Sequence, residues 1–273
     1  MAWAGDQVFK IILGCLIATA IVACEQPDPL SSLAQGETGR VVRIIDGDAL
    51  VLDTGLTVRL VGLEAPAPER RNRKGQPYAE TSARLLEDLA MGRQVRLIYP
   101  GITRDRYDRA LAYVITEDRL GPDLWLNREM LRRGAARARF YPDTASLGDL
   151  LLRDEAEARE NERGLWALEA YRILPVREIE QAARGFEIVH GTFDTIAASE
   201  GSDDDLLCIR SLVGTELVAG IGRAAASLCD QALVGHVFEL RGYIYNGRMD
   251  ITDMLNAQAY ARPGQDAAHT KAH

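Results

Sequence analysis

The sequence predicts a mainly β chain with helices, an α+β architecture in two parts. The first is a five-stranded Greek-key barrel of the OB type carrying three helices; the second is a smaller, OB-like β domain. Three observations lead there. Between residues 39 and 168, five short strand-like runs alternate with three helix-like ones, a pattern that fits a small closed barrel. Between 186 and 256, strand-like runs recur with turn signals between them. With 273 residues, 47% hydrophobic and 26% charged, the chain can fill one or two cores and has neither a disordered nor a fibrous composition.

The first element is an apolar run from Ile11 to Ala23 behind Lys10, which has the length of a signal-peptide core and is short for a spanning helix. It ends at Ile21-Val22-Ala23-Cys24, which resembles a bacterial lipobox. Residues 1–23 are therefore read as a lipoprotein signal peptide and Cys24 as the lipidated residue; because Asp6 offsets Lys10, an uncleaved anchor is the alternative. Either reading exports the rest of the chain, held at a membrane and facing the periplasm or cell exterior. The polar, proline-interrupted residues 24–38 suit a tether.

From Gly39, the residues Val41, Val42, Ile44 and Ile45 read as a strand, Asp46-Gly47-Asp48 as a tight turn and Leu50-Val51-Leu52 as a second strand. Asp53-Thr54-Gly55 is a hairpin signal leading to a third strand, Thr57–Leu63. A Pro-rich basic loop runs from Glu64 to Pro77. A helix is expected near 78–91 from Ala83, Leu85, Leu86 and Leu89, then strands at Gln94–Tyr99 and Ala110–Ile115. Helices follow at Leu124–Gly134 and from Leu147 to about Glu162, the latter stopping at Gly164.

Residues 169–185 read as a linker. In the OB-like domain, 186–256, Phe186–Phe193 and Leu206–Arg210 alternate as strands around the acidic turn Ser202–Asp205, and Ala219–Ala232 reads as a helix. Val237–Tyr245, the turn Asn246-Gly247 and Met249–Thr252 form a hairpin, and 257–273 reads as a disordered tail. Cys208 and Cys229 are the cysteines left after the leader. In an exported domain they are disulfide candidates, with two buried thiols as the alternative. No cysteine or histidine spacing suggests zinc or a Cys–His nucleophile.

The net charge of −8 argues against a wholesale basic nucleic-acid binder. The charge is uneven, however: residues 39–168 carry +1 and residues 169–273 carry −6. The first part is the candidate for meeting an anionic substrate. The second reads as a structural or protein-contact module, with a protein partner of its own.

Val42-Arg43-Ile44-Ile45-Asp46-Gly47-Asp48, Val58–Pro66 and Asp105–Tyr113 resemble, in order and separation, three signature stretches of the staphylococcal nuclease (thermonuclease) family. Asn127–Gly134 and Glu155–Ala158 through Gly164-Leu165-Trp166 are similar to that family's last two helices. The resemblance covers about 39–168. It implies Asp48, Glu64 and the Ala65 carbonyl as oxygen ligands for Ca²⁺, with Arg59 and Arg109 clamping the phosphate. Hydrolysis of a phosphodiester builds negative charge on the equatorial oxygens, which a cation and guanidinium donors stabilise. Taken singly, a turn aspartate and surface ion pairs are the plainer reading of each.

Further out, Arg70, Arg71, Arg73 and Lys74 form a basic loop suited to phosphates, or simply a solvated charge run. The resemblance adds Arg106, Tyr107 and Phe140 as nucleotide contacts, Phe140 as a stacking ring. Phe140 and Tyr113 could equally be core residues, the preferred reading for Tyr113, and Arg132 with Glu155 reads as a cross-helix ion pair. Three departures stand out. The position expected to hold a general-base glutamate is Ala67, with Glu69 two residues later as a substitute; Glu64 stands where aspartate is more common; Ala49 replaces a usual Thr. The expectation is an exported, Ca²⁺-dependent nuclease acting on DNA or RNA with low sequence specificity, slowed by Ala67. The alternative is a catalytically degenerate nucleic-acid-binding or scaffold lipoprotein.

Overall fold

The computed structural model describes residues 28–71, 74–117, 122–180, 184–198 and 206–260. The expectations for residues 1–23, Cys24, Arg73, Asp203–Asp205 and the tail from 261 lie outside the described residues. The chain divides into two units, 1–31 and 32–273. Of the first, only the start of a 3-10 turn, Pro29–Ser32, is described.

In the second unit, strand β1 (Ala34–Asp46) is long enough to serve two neighbours. Its later half pairs antiparallel with β2 (Ala49–Leu52), which pairs with β3 (Thr57–Leu60). Beyond β4 (Leu63–Glu64) and helix α1 (Ala79–Ala90), β5 (Gln94–Tyr99) pairs with the first half of β1. β6 (Ala110–Thr116) closes the barrel, antiparallel to β5 and parallel to β3. Thus residues 34–38, expected in the tether, are strand. Their polar side chains face solvent, so alternation gave no signal for them. Leu50, Leu52, Val58, Leu60, Val95, Leu97 and Val114 fill the interior.

α1 presents Ser82, Leu86, Leu89 and Ala90 to the barrel at helical spacing. A Cβ on Gly47 would lie 1.9 Å from the Ser82 hydroxyl oxygen, so the Asp46-Gly47-Asp48 turn packs on α1 only with glycine there. Gly62, at φ 78°, ends β3 and turns the chain into β4. Helix α2 (Leu126–Arg132) buries Asn127, whose side chain accepts from the Val114 N–H at 2.9 Å and donates to the Val61 carbonyl at 2.8 Å. That tie holds the open end of the β3–β6 pairing. β7 (Arg137–Ala138) pairs with β4, and α3 (Gly148–Glu160) packs on α2.

After β8 (Leu174–Pro175) come β9 (Gly185–Ala198), β10 (Leu206–Leu212), β11 (Val218–Ala224), β12 (Val237–Tyr245), β13 (Arg248–Asp253) and β14 (Ala257–Ala259). β9, β10 and β11 pair antiparallel in turn, β11 runs parallel to β13, β13 antiparallel to β12, and β12 antiparallel to β9. This ring repeats the strand order of the first barrel, so the OB-like reading of the second region holds. Its core gathers Val189, Phe193, Leu212, Ile221, Leu240, Met249 and Ile251.

Three sequence expectations change here. Ala219–Ala232 is no helix: Val218–Ala224 is a strand paired edge to edge between β10 and β13, followed by 3-10 turns at Ala226–Cys229 and Gln231–Leu233. Residues expected as linker are built in, Leu174–Pro175 pairing parallel with β9. The tail begins later than expected, since Ala257–Ala259 pairs with β12. Cys208 of β10 is disulfide-bonded to Cys229.

The barrels meet through buried charge. Arg241 of β12 donates to Glu155 of α3 at 2.7 Å, to Glu239 at 2.6 Å and to the Ala138 carbonyl at 3.0 Å; Arg159 also pairs with Glu239. The expected Arg132–Glu155 pair is therefore replaced. Arg132 and Arg128, one turn apart on α2, share Asp154, while Glu155, the next residue, faces inward to the second barrel.

Candidate active site

The turn after β1, the end of β3 and strand β4 bring Asp48, Arg59 and Glu64 together. Asp48 is buried and accepts the Ala65 N–H at 2.9 Å. The Arg59 guanidinium spans both acids, 3.1 Å from Asp48 and 2.7 Å from Glu64. Glu64 also accepts from Arg139 at 2.9 Å and from the Tyr243 hydroxyl at 2.6 Å. Burial pushes the Asp48 carboxyl up to about 8, Arg59 opposing and the charges of Asp46 and Glu64 adding to the rise. Burial also works on Glu64, but Arg59, Arg139 and Tyr243 hold it below the usual range. The two carboxylates differ because Glu64 has three side-chain donors and Asp48 fewer.

Two adjoining pockets open on this group, of about 580 and 430 Å³, and share Arg59, Glu64, Arg109 and Tyr243. Arg109 is held by Asp105, whose carboxylate accepts its Nε–H at 2.7 Å. Arg106 lies over the exposed Tyr107 ring, and both line the larger pocket. Arg70 reaches the rim, 3.8 Å from Asp46. Arg71 and Glu69 are exposed and line neither pocket. Ala67 does line the smaller one, tied to Gln76 through its backbone. The structure thus places Ala67, not Glu69, at the site.

Phe140 is a correction. Its ring is buried against Gly148 and its backbone is bonded to Asn256, so it is core. The exposed ring belongs to its neighbour Tyr141, which lines the larger pocket. Tyr113 is fully buried, as expected of a core residue.

Sequence reasoning missed Arg139 and the whole contribution of the second barrel. Arg139 follows β7, whose pairing with β4 sets it beside Glu64, and its guanidinium stacks 4.2 Å from the Tyr243 ring centroid. Phe186, Tyr243 and Arg184 complete the wall of the smaller pocket. The only signal in the sequence was the alternation of Arg241, Tyr243 and Tyr245 along one strand face; it names a face without naming what the face meets.

Among the described residues, no three His, Cys, Asp or Glu side chains form a ready-made metal centre. The donor set nonetheless fits a hard cation in type. A buried carboxylate, Asp48, and a half-buried one, Glu64, already share one positive group, Arg59.

Residues 57–168 match the model of a family described as staphylococcal nuclease homologue. The chain is 32% identical over 169 residues to the thermonuclease of Staphylococcus intermedius, covering 58% of this chain and 98% of that protein. It is 35% identical over 130 residues to an uncharacterized endonuclease of Escherichia coli O157:H7, covering 47% and 76% respectively. A thermonuclease of Staphylococcus hyicus is 27% identical over 164 residues, 58% of this chain and 94% of that protein.

Proposed function

The chain belongs to the staphylococcal nuclease homologue family, and from that premise we propose that it is an exported, calcium-dependent nuclease hydrolysing DNA or RNA with low sequence specificity. The observation that carries this reading is the convergence of Arg59 and Arg109 with the carboxylates of Asp48 and Glu64 on one opening. Asp48, Glu64 and the Ala65 carbonyl would hold the cation, which when bound supplies Lewis-acid stabilisation of the phosphoryl oxygens. Arg109, oriented by Asp105, donates to the equatorial oxygens as charge builds on them. Arg59 neutralises the paired acids and adds a second guanidinium beside the phosphate. Ala67 offers no proton acceptor, so water attacks without general-base help. The wall of aromatic rings tolerates every base.

The test is cleavage of a fluorogenic oligonucleotide with Ca²⁺ and with chelator. Activity should stop in chelator and fall about 10²–10³-fold in Arg109→Ala. Absence of calcium-dependent cleavage favours the second reading, a catalytically degenerate nucleic-acid-binding or scaffold lipoprotein, for which the specific observation is Ala67. Export and anchoring rest on Ile21-Val22-Ala23-Cys24. Cys24→Ser should abolish lipid labelling; labelling at the wild-type level would refute the anchor.

A further inference from the structure

The face of β12 that meets the first barrel passes through three environments. Arg241 is buried in the ion pairs with Glu155 and Glu239. Two residues on, Tyr243 stands at the lip of the site and donates to Glu64. Two further, Tyr245 is 63% exposed, with the Arg184 guanidinium 4.9 Å from its ring centroid. Alternate residues of a strand stand about 7 Å apart on one face, so this row leads outward from the catalytic opening. Phe186, opposite Tyr243 in the ladder, and Arg139, stacked on Tyr243, make the inner end aromatic and cationic too. Arg184 itself lines the smaller pocket, which joins the row to Asp48 and Glu64. The one carboxylate on this part of the hairpin, Asp250 opposite Tyr243, is paired with Arg248 at 2.6 Å.

We propose that this row is a binding subsite for the single-stranded polynucleotide beyond the scissile phosphate, a base stacking on Tyr245 and a phosphate meeting Arg184. The inference rests on the nuclease reading and assigns the second barrel a part in substrate binding. Rings interleaved with guanidinium groups are what a strand with splayed bases recognises, and continuity with the catalytic opening sets where the strand goes. The net charge of −6 in residues 169–273 is no obstacle, because the charge this face offers is that of Arg184, with Arg139 matched by Glu64 and Asp250 by Arg248.

The test measures binding of fluorescent dT12 by anisotropy in chelator, and the ratio of kcat/KM for dT12 to that for a dinucleotide in Ca²⁺, using the full chain. Tyr245→Ala should weaken dT12 binding roughly tenfold and lower the ratio, while Tyr245→Phe, which keeps the ring, should retain both. Arg184→Ala should reduce the slope of log K against log salt by about 0.7, one phosphate contact on a single strand. Unchanged dT12 binding and an unchanged ratio in Tyr245→Ala and Arg184→Ala would overturn the subsite, as would a wild type that cleaves dT12 no better than the dinucleotide. A wild type that binds dT12 yet never cleaves it, with that binding lost in Tyr245→Ala, would support the subsite and defeat the nuclease reading, which keeps the two failures apart.

Discussion

Replacing Arg241 by Met tests whether the barrels are held together by buried charge. The guanidinium and the Glu155 carboxylate are each about 1% exposed, so the substitution removes a cation and leaves its partner in a dry place. Glu239 keeps Arg159, at 2.9 and 2.7 Å, whereas Glu155 keeps only the Ala138 N–H at 2.7 Å and a long approach of Arg159 at 3.9 Å. The cost therefore falls on Glu155. Breaking a buried pair from one side costs about 3–5 kcal/mol, which for a chain of this size lowers Tm by roughly 6–20 °C. The assay is urea unfolding of Arg241→Met, Glu155→Gln and the double variant. The double should be more stable than Arg241→Met alone, because the neutral amide no longer demands a counter-charge. A loss below about 1 kcal/mol in Arg241→Met, or a double variant less stable than it, would refute the assignment of the cost to an uncompensated Glu155.

Ala67→Glu should accelerate cleavage by about 10²–10⁴-fold, since residue 67 lines the pocket and general-base help is worth that much, while Glu69→Ala should change the rate little; oligonucleotide kinetics with the reverse result would place the base at Glu69. Reducing Cys208–Cys229, or replacing both by Ser, should destabilise the protein by roughly 3 kcal/mol in denaturant titration, the bond joining residues 21 apart in sequence. Burial lowers the His190 pKa below the usual 6.5, against the pull of Glu239 and with the help of Arg159, so the unfolded chain takes up a proton first as pH falls. Stability contributed there is complete above about pH 6.5 and declines as pH falls through the lowered value; thermal melts of His190→Gln across that window should show a shallower decline.

Much of the first barrel was legible because its strands are short apolar runs bounded by turn residues and its helices are amphipathic, so those runs and turns reported the elements directly. Residues 34–38 escaped because a solvent-facing strand has no apolar alternation to show. Ala219–Ala232 misled for another reason: its alanines suit a helix, and only pairing with the distant β10 and β13 makes Val218–Ala224 a strand. At the site, Asp48, Arg59, Glu64 and Arg109 were found through the family resemblance, because the motifs that carry it lie on local turns and strand ends; taken singly, none of them declared a role. Arg139 and Tyr243 were not, since what makes them functional is proximity to Glu64 across 75 and 179 residues of chain. Phe140 and Tyr141 show the finest limit: adjacent aromatic residues point to opposite sides of an extended chain, and a one-residue choice decides which ring is core and which is wall.

Glu64 itself, where the resemblance leads one to expect aspartate, takes on a meaning the sequence could not give it. Read alone, the extra methylene is a loosened ligand. In the structure, that methylene carries the carboxylate far enough from β4 to accept from Arg59, Arg139 and Tyr243 together. The last of these donors comes from the second barrel, and a side chain shorter by one C–C bond would draw back from it. The departure from aspartate and the presence of a second barrel packed at the lip are therefore one feature rather than two. A carboxylate held by three donors keeps its charge and its position, while the neighbouring Asp48, more deeply buried and with fewer donors, has its pKa raised. The two acids are thereby held differently, Glu64 by three side-chain donors and Asp48 by Arg59 and the Ala65 N–H, which suits an acidic pair that must hold a guanidinium at one moment and accommodate a cation and a phosphate at another.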